Sequence, residues 1–553
     1  MGRPHLSRIA SHLFLAISSP LPPWHSALLL APVFVALAAI VAVARARSVA
    51  VAWRTARSAS VVMLAAAVAS AILRAVTQER ASVVLRSDTI GAAMLILVGF
   101  VGWVVIRYSQ AYLAGDPYER RYIGRLLATI AAVAVVVVAN HLVVLVLAWA
   151  ATSLAMHGLL TFFGDRPVAV AVAHKKFILA RCADLCMLGA VIAFGTTFDT
   201  LRIDRIASEA AAASALPTGA RIAIALVALA ALLKCAQLPF HGWLIQVMEA
   251  PTPVSALLHA GVVNLGGFVL LRFAPVVDGA VETRTLLVIV GASTAAIAAL
   301  VMTTRISIKV ALAWSTCAQM GFMLMQCGLG LWEMALLHLL AHSLYKAHAF
   351  LGAGGVVRQT QRKQLASKPG SPTATGMAVA AATAITGTLA AGWLWGQLPF
   401  SEPASATLWV MSGIVALALV PLVSAGTRAD GRRVHPALIG GTIAVPLAYF
   451  ALHDLFGHFV PDGSAAPTVL LVIVAALFAM LFIVQSLCAI APTGRLSKQL
   501  YPWIYGGLFI DEAFTRVAFA IWGPAAPRPR AVTLPQVTTT PVFAPTSPDR
   551  SLV

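Results

Sequence analysis

His338, His342 and Lys346 follow one another at four-residue spacing inside an apolar run. On a helix each lies about 40° round from the one before, and the row is about 12 Å long. Histidine exchanges a proton near neutrality, so such a row on one helix face suits a proton relay. The alternative is three polar groups bonding neighbouring helices; a metal site is disfavoured because no carboxylate or cysteine accompanies them at ligand spacing. A second candidate is Lys234, five residues before Pro239 in another apolar run. Proline there removes a backbone hydrogen bond and breaks the helix, and an ammonium taken out of water gives up its proton more readily. Its alternative is a lysine snorkelling from a helix end. His259, after Pro251 and Pro253, either connects the two clusters or is a core histidine. Lys309 either joins the path or anchors a span at the interface. Asp184 lies within a span, where it can pair with a buried lysine. Glu249, in the re-entrant stretch Met248-Glu249-Ala250-Pro251, is read as holding the broken helix end.

The elements that must position these groups are transmembrane helices. The chain has 553 residues, of which 60% are hydrophobic and only 11% charged, with a mean hydropathy of +0.88. Soluble domains carry about 25% charged residues. Apolar runs near the bilayer-crossing length of about 20 residues recur throughout, and they do not alternate as barrel strands would. The reading is an all-α polytopic membrane protein with fifteen spans: 26–44, 49–73, 88–106, 122–138, 141–163, 170–195, 219–240, 254–275, 285–303, 307–328, 331–356, 376–399, 406–425, 435–452 and 467–490. A net charge of +19 then marks cytoplasmic loops and not a nucleic-acid partner. Loops on one side, Lys175 and Lys176 among them, carry twenty lysines and arginines. The other side carries eight: Arg74, Arg80, Arg86, Arg202, Arg205, Arg221, Arg272 and Arg284. The bias puts the N-terminus outside and the C-terminus in the cytoplasm. Proline interruptions at Pro20, Pro22 and Pro23 argue against a cleaved signal peptide. The six cysteines lie in or beside apolar runs and read as small buried residues, not a disulfide framework or zinc site.

Gln237-Leu238-Pro239-Phe240 recurs as Gln397-Leu398-Pro399-Phe400, five spans later and so in opposite orientation. That is the mark of two inverted repeats with broken helices at Pro239 and Pro399, a transporter feature. The expected layout is N-terminal transmembrane helices over 1–110, then a core over 111–425 with repeats near 120–280 and 285–425, then C-terminal spans over 426–490. An amphipathic, aromatic segment over 491–523 is expected along the interface. A Pro- and Thr-rich tail over 524–553 is expected to be disordered.

The run from Lys234 through Pro239 and His241 to Trp243, followed by Met248 to Ala260, resembles the antiporter-like subunits of complex I and of Mrp cation/proton antiporters. Ile308-Lys309, Trp314-Ser315-Thr316, Gln319, Gly321, His338, His342, Lys346 and Leu351-Gly352-Ala353-Gly354 are similar to the same family, as are Tyr108-Ser109-Gln110 and Gly115-Asp116 upstream. The resemblance implies a proton-conducting, inverted-repeat membrane subunit, with Lys234, His259, Lys309, His338, His342 and Lys346 on its conduction positions. The sequence departs from that family at Trp149-Ala150, where the family has Trp-Glu, and after Pro399, where Ser401-Glu402 stands in place of a lysine. These departures, together with His259-Ala260-Gly261-Val262-Val263-Asn264 and the ending Tyr505-Gly506-Gly507 to Asp511, resemble the DabB subunits of inorganic carbon accumulation systems. That resemblance implies a bacterial cytoplasmic-membrane subunit, not itself an enzyme and without a cofactor of its own. H⁺ or Na⁺ flow through it would drive hydration of CO2 to bicarbonate on a DabA-type partner, a zinc protein resembling a β-carbonic anhydrase. The rival expectations are a subunit of a cation/proton antiporter or quinone-linked respiratory complex, and a non-conducting anchor for a peripheral enzyme.

Overall fold

The structure, a computed structural model, describes residues 22–77, 80–356, 372–399, 404–429, 436–461 and 463–522. Three helices come first: α1 (Pro23–Ala44), α2 (Val49–Val76) and α3 (Thr89–Tyr112). Side chains satisfy the orphan amides at two of their starts. Ser48 accepts from the Val51 N–H, and Asp88 accepts from the Gly91 N–H at 2.7 Å. The core follows as α4 (Glu119–Val138), α5 (Leu142–Leu160), α6 (Pro167–Phe198), α7 (Ile203–Ala212), α8 (Thr218–Lys234), α9 (Gly242–Gln246), α10 (Thr252–Ala260), α11 (Leu265–Arg272), α12 (Ala274–Asp278), α13 (Val281–Met302), α14 (Ile308–Gly328), α15 (Trp332–Leu351) and α16 (Ala374–Gly396). Then come α17 (Ala406–Ala429), α18 (Pro436–Gly457), α19 (Thr468–Ile490), α20 (Arg495–Tyr505) and α21 (Ile510–Trp522). The sheet among the described residues is one short hairpin pairing Arg80 with Ser87.

Each of the fifteen expected spans contains helix, and among the described residues thirteen segments are long and apolar enough to cross a membrane. The chain is a multi-pass membrane protein. The two expected spans outside that thirteen are α8, which stops at Lys234 after 17 residues, and α15, whose Glu333, three histidines and Lys346 lower its hydropathy. In α15 the charge that lowers the hydropathy is also what makes the helix a candidate for function. Helix α6 packs along α8, while α10 and α11 pack on α15, which in turn lies against α14.

Three expectations about the helices change. Pro251 and Pro253 do not break a span; they start α10, with Pro251 as its cap. The interruption of that span lies later, at Gly261, whose φ of −132° and ψ of −69° leave the helix, and a single tight turn over Val262–Asn264 bridges to α11. Pro239 lies beyond the end of α8, in the irregular stretch before α9. The second copy of the repeat closes α16, with Pro399 in the turn after it, and Phe400 lies outside the described residues. The tail over 524–553 also lies outside them.

Candidate functional site: a buried polar path

The first part of the site is built where α8 ends. Ala236 adopts the left-handed backbone conformation at φ 53°. The polar groups this frees find partners: the Gln237 N–H donates to the Leu232 carbonyl, its side-chain amide to the Cys235 carbonyl, and the Leu238 N–H to the Thr294 hydroxyl. Close packing of α11 fixes this end. A Cβ on Gly266 would sit 2.6 Å from Cys235 Sγ and 2.9 Å from the Ala231 carbonyl, so only glycine lets the two helices meet.

Lys234, 5% exposed, points from this end onto α5. Its Nζ donates to Thr152 Oγ1 at 3.1 Å and Ser153 Oγ at 2.9 Å, and lies 4.3 Å from the centre of the Trp149 ring. Two hydroxyls and an aromatic face thus stand where the antiporter-like pattern has a glutamate beside the lysine. Asp184 makes no direct ion pair with Lys234: it pairs with Arg181, one turn back on α6, at 2.7 Å, while its carboxylate acts on Lys234 and Lys176 through space. A second lysine reaches the same spot. Lys176 Nζ donates to the Ser153 carbonyl at 2.9 Å and is 3% exposed. A small cavity lined by Lys176, Lys234, Trp243 and Val262 lies beside both ammoniums.

The second part is centred on α10, α14 and α15. The break at Gly261 leaves the last carbonyls of α10 without helical partners, and the His259 carbonyl accepts from His342 Nε2 at 3.2 Å. His259 itself is fully buried, stacked on Phe350 at 4.4 Å. Its Nδ1 lies 3.1 Å from Thr316 Oγ1. The Thr316 hydroxyl donates to the Leu312 carbonyl at 3.0 Å, so His259 Nδ1 carries the proton and donates to Thr316. Lys346 Nζ, also fully buried, donates to the same Leu312 carbonyl at 3.0 Å. His342, His259, Thr316 and Lys346 therefore share one hydrogen-bonded set across three helices. His338 extends it, its ring 6.1 Å from that of His342. Each of these two histidines faces a glutamine on α14: His338 Nδ1 is 3.1 Å from Gln326 Oε1 and His342 Nδ1 is 2.6 Å from Gln319 Oε1.

A second small cavity, lined by Gly261, Val262, Asn264 and Ser343, continues toward the lysine end, and Val262 lines both cavities. Each has room on the order of a single water molecule. Asn264 donates to Ser343 Oγ at 2.6 Å, tying the break in α10–α11 to α15.

Two expected residues stay apart. Lys309 sits half-exposed in the first turn of α14. Glu249 is not buried in a re-entrant segment; it pairs with Arg166 at 2.9 Å on an exposed surface. Conversely, Lys175 and Lys176 are not loop charges, since both are buried in α6. The signal was present in the sequence, because both fall inside the expected span 170–195. Within the segment 491–523 the chain reverses after α20 through Gly507 (φ 65°) and Leu508 (φ 56°), and α21 docks on α6. There Asp511 takes Lys175 Nζ at 2.6 Å.

The comparisons with known proteins give the family of the chain. Residues 139–393 match the family described as NADH:quinone oxidoreductase/Mrp antiporter, transmembrane, and residues 75–123 match the complex I chain 5 N-terminal family. The probable inorganic carbon transporter subunit DabB2 of Halothiobacillus neapolitanus is 38% identical over 435 residues, 77% of this chain and 78% of that protein. The chain belongs to the DabB family. The probable DabB subunit of Hydrogenovibrio crunogenus is 53% identical over 273 residues, 49% of this chain, and the DabB-family chain spans about half (53%) of that relative's length. NADH-quinone oxidoreductase subunit L of Mycobacterium tuberculosis is 34% identical over 287 residues, 51% of this chain and 44% of that one. The Mrp complex from Dietzia sp. shares the fold, with a TM-score of 0.63 at 23% identity over 90% of this chain and 59% of that chain.

Proposed function

We propose that this chain is the energy-coupling membrane subunit of an inorganic carbon accumulation system. Protons, entering from outside, pass along His338, His342, His259 and Lys346 and then Lys234, and leave to the cytoplasm. Their flow drives hydration of CO2 to bicarbonate on a separate DabA-type zinc protein, so the chain itself carries no catalytic centre and no cofactor. The membrane is the bacterial cytoplasmic membrane, with the N-terminus outside.

The observation that carries the reading is the hydrogen-bonded set joining His342, His259, Thr316 and Lys346 in a dry interior. His342 is suited to hold either charge state. With Nε2 donating to a carbonyl, a neutral ring must accept at Nδ1, whereas an imidazolium donates there. Rotation of the Gln319 amide serves both. Titratable nitrogens and hydroxyls line the path, which favours H⁺; Na⁺ prefers a cage of oxygens. The outside placement of the N-terminus rests on the lysine and arginine bias of the loops, counted by residue type. One proton falling through 100 mV releases about 2.3 kcal/mol, which biases a coupled step by under two decades.

The test has two arms. Purified chain in liposomes with an imposed inside-negative potential should acidify the lumen, followed with an enclosed pH dye. Pull-down from native membranes should bring down a zinc protein with carbonic anhydrase character. Absence of flux from the purified complex would remove conduction. Co-purification with several membrane subunits and no zinc protein would favour the antiporter or respiratory reading.

A further inference from the structure

A carboxylate reaches the lysine-bearing helix α6 from far along the chain. Lys175 is fully buried, yet its Nζ meets both oxygens of Asp511, at 2.6 and 2.7 Å, from 336 positions away. Thr515 Oγ1 lies 2.6 Å from the same ammonium, and the Gln246 amide donates to Asp511 Oδ2 at 2.9 Å. Among the described residues this is the lysine–carboxylate ion pair. Asp511 lies against Gly242 so closely that a Cβ there would overlap its carboxylate. It therefore sits at the start of α9, just past the irregular stretch that follows Lys234's helix. The next residue along α6, Lys176, shares Ser153 with Lys234. Asp511 is 18% exposed, so this end of the lysine cluster meets water. The rest of α21 is anchored independently. Phe514 packs edge-on against Phe240 at 5.5 Å, Trp522 stacks on His174 at 3.6 Å, and Ala518 is buried.

Resting on the conduction reading above, we propose that Asp511 is a positioning residue of the proton path. Helix α21 lends it as counter-charge to Lys175, the neighbour of Lys176 on α6, which makes α21 part of the conducting unit. Without it, the buried Lys175 would stand next to Lys176 on α6 with no carboxylate bonded to it, and this end of the cluster would hold fewer protons at once.

The experiment is Asp511→Asn in the full chain, reconstituted as above. The amide keeps an acceptor for Lys175 and removes only the charge. Docking is read separately from Ala518→Cys, probed with a membrane-impermeant maleimide in a background where Cys182, Cys186 and Cys488 are replaced by serine. The expected result is at least a tenfold loss of proton flux with the introduced thiol still protected, and partial recovery of flux when the charges are exchanged in Lys175→Asp with Asp511→Lys. Wild-type flux in Asp511→Asn with that thiol protected overturns the inference and leaves conduction standing. Flux lost only where the thiol becomes reactive also overturns it, because Asp511 is then a latch and nothing more. Absence of flux in the unsubstituted chain is instead a failure of the conduction reading.

Discussion

Thr316 joins His259 to the carbonyl that holds Lys346, and Thr316→Val tests that link with little change of shape. The hydroxyl accepts from His259 Nδ1 and donates to the carbonyl that also holds Lys346. Valine fills the same space but leaves the Nδ1–H without a partner in a fully buried site. An orphaned buried donor costs about 1–3 kcal/mol. If the proton-carrying arrangement bears that cost, transfer slows about fivefold to 150-fold, at about 1.4 kcal/mol per decade. Thr316→Ser keeps the hydroxyl and should stay within a few-fold of the native rate. The assay is the initial rate of lumen acidification in liposomes at equal protein density, with melting temperature as the control for folding. The hypothesis of a relay through Thr316 is refuted if Thr316→Val folds and conducts at the native rate, or if Thr316→Ser fails as badly as valine does.

Three further outcomes follow from the same geometry. Lys234→Ala or Lys346→Ala should abolish growth without added CO2 in a host that depends on this system; unchanged growth at normal expression would favour a non-conducting anchor. Asp88→Ala strips a buried carboxylate from Arg272 and Arg86, and breaking such a pair costs about 3–5 kcal/mol, so the yield of monodisperse detergent-solubilised protein should collapse; a normal yield and melting temperature would contradict this. Burial alone would raise the Asp204 carboxyl, but hydrogen bonds from Arg202 and Asn140 outweigh it and hold it below the usual range. A carboxyl depressed in the folded state stabilises above its unfolded pKa and loses that contribution as pH falls. The native chain should therefore melt higher than Asp204→Asn at neutral pH, with the gap closing below the ordinary Asp range; a gap that widens in acid would refute the assignment.

The spans were legible because a bilayer demands runs of about 20 apolar residues, and every run of that kind became helix. The His338, His342 and Lys346 row was legible because a four-residue period survives folding on a straight helix. The break at Gly261 was not, since one glycine among apolar neighbours carries no pattern, whereas the prolines upstream advertise a break and in fact begin a helix. Lys175 and Lys176 fall inside an apolar run, but beside Arg166 at its start they read as loop charges; Lys176 is buried against α5 and Lys175 against α9 and α21. The role of Thr316 and the pairing of Asp511 with Lys175 are tertiary facts, and no local spacing encodes a contact across 336 residues.

The absence of a glutamate at Ala150 does not by itself stop conduction, because two lysines share what one glutamate would hold. Lys234 and Lys176 both bond Ser153, one to its hydroxyl and one to its carbonyl. Hydrogen bonds from charged groups contribute about 1.5–3 kcal/mol each, and a desolvated cation over an aromatic face about 2 kcal/mol. Those terms are of the size needed to keep one ammonium in a dry site, and the nearby second charge works against keeping two. A proton reaching one lysine therefore favours release from the other. A lysine–glutamate pair stabilises the charged lysine and must be pulled apart to release its proton. A lysine pair on a shared serine is instead emptied by the next arrival, with no carboxylate bonded directly to either ammonium. On this argument Ser153→Ala should slow flux less than Lys176→Met, since the serine carbonyl survives and the mutual repulsion with it. The reverse order of effects in the liposome assay would show that the hydroxyl, and not the second charge, is what moves the proton on.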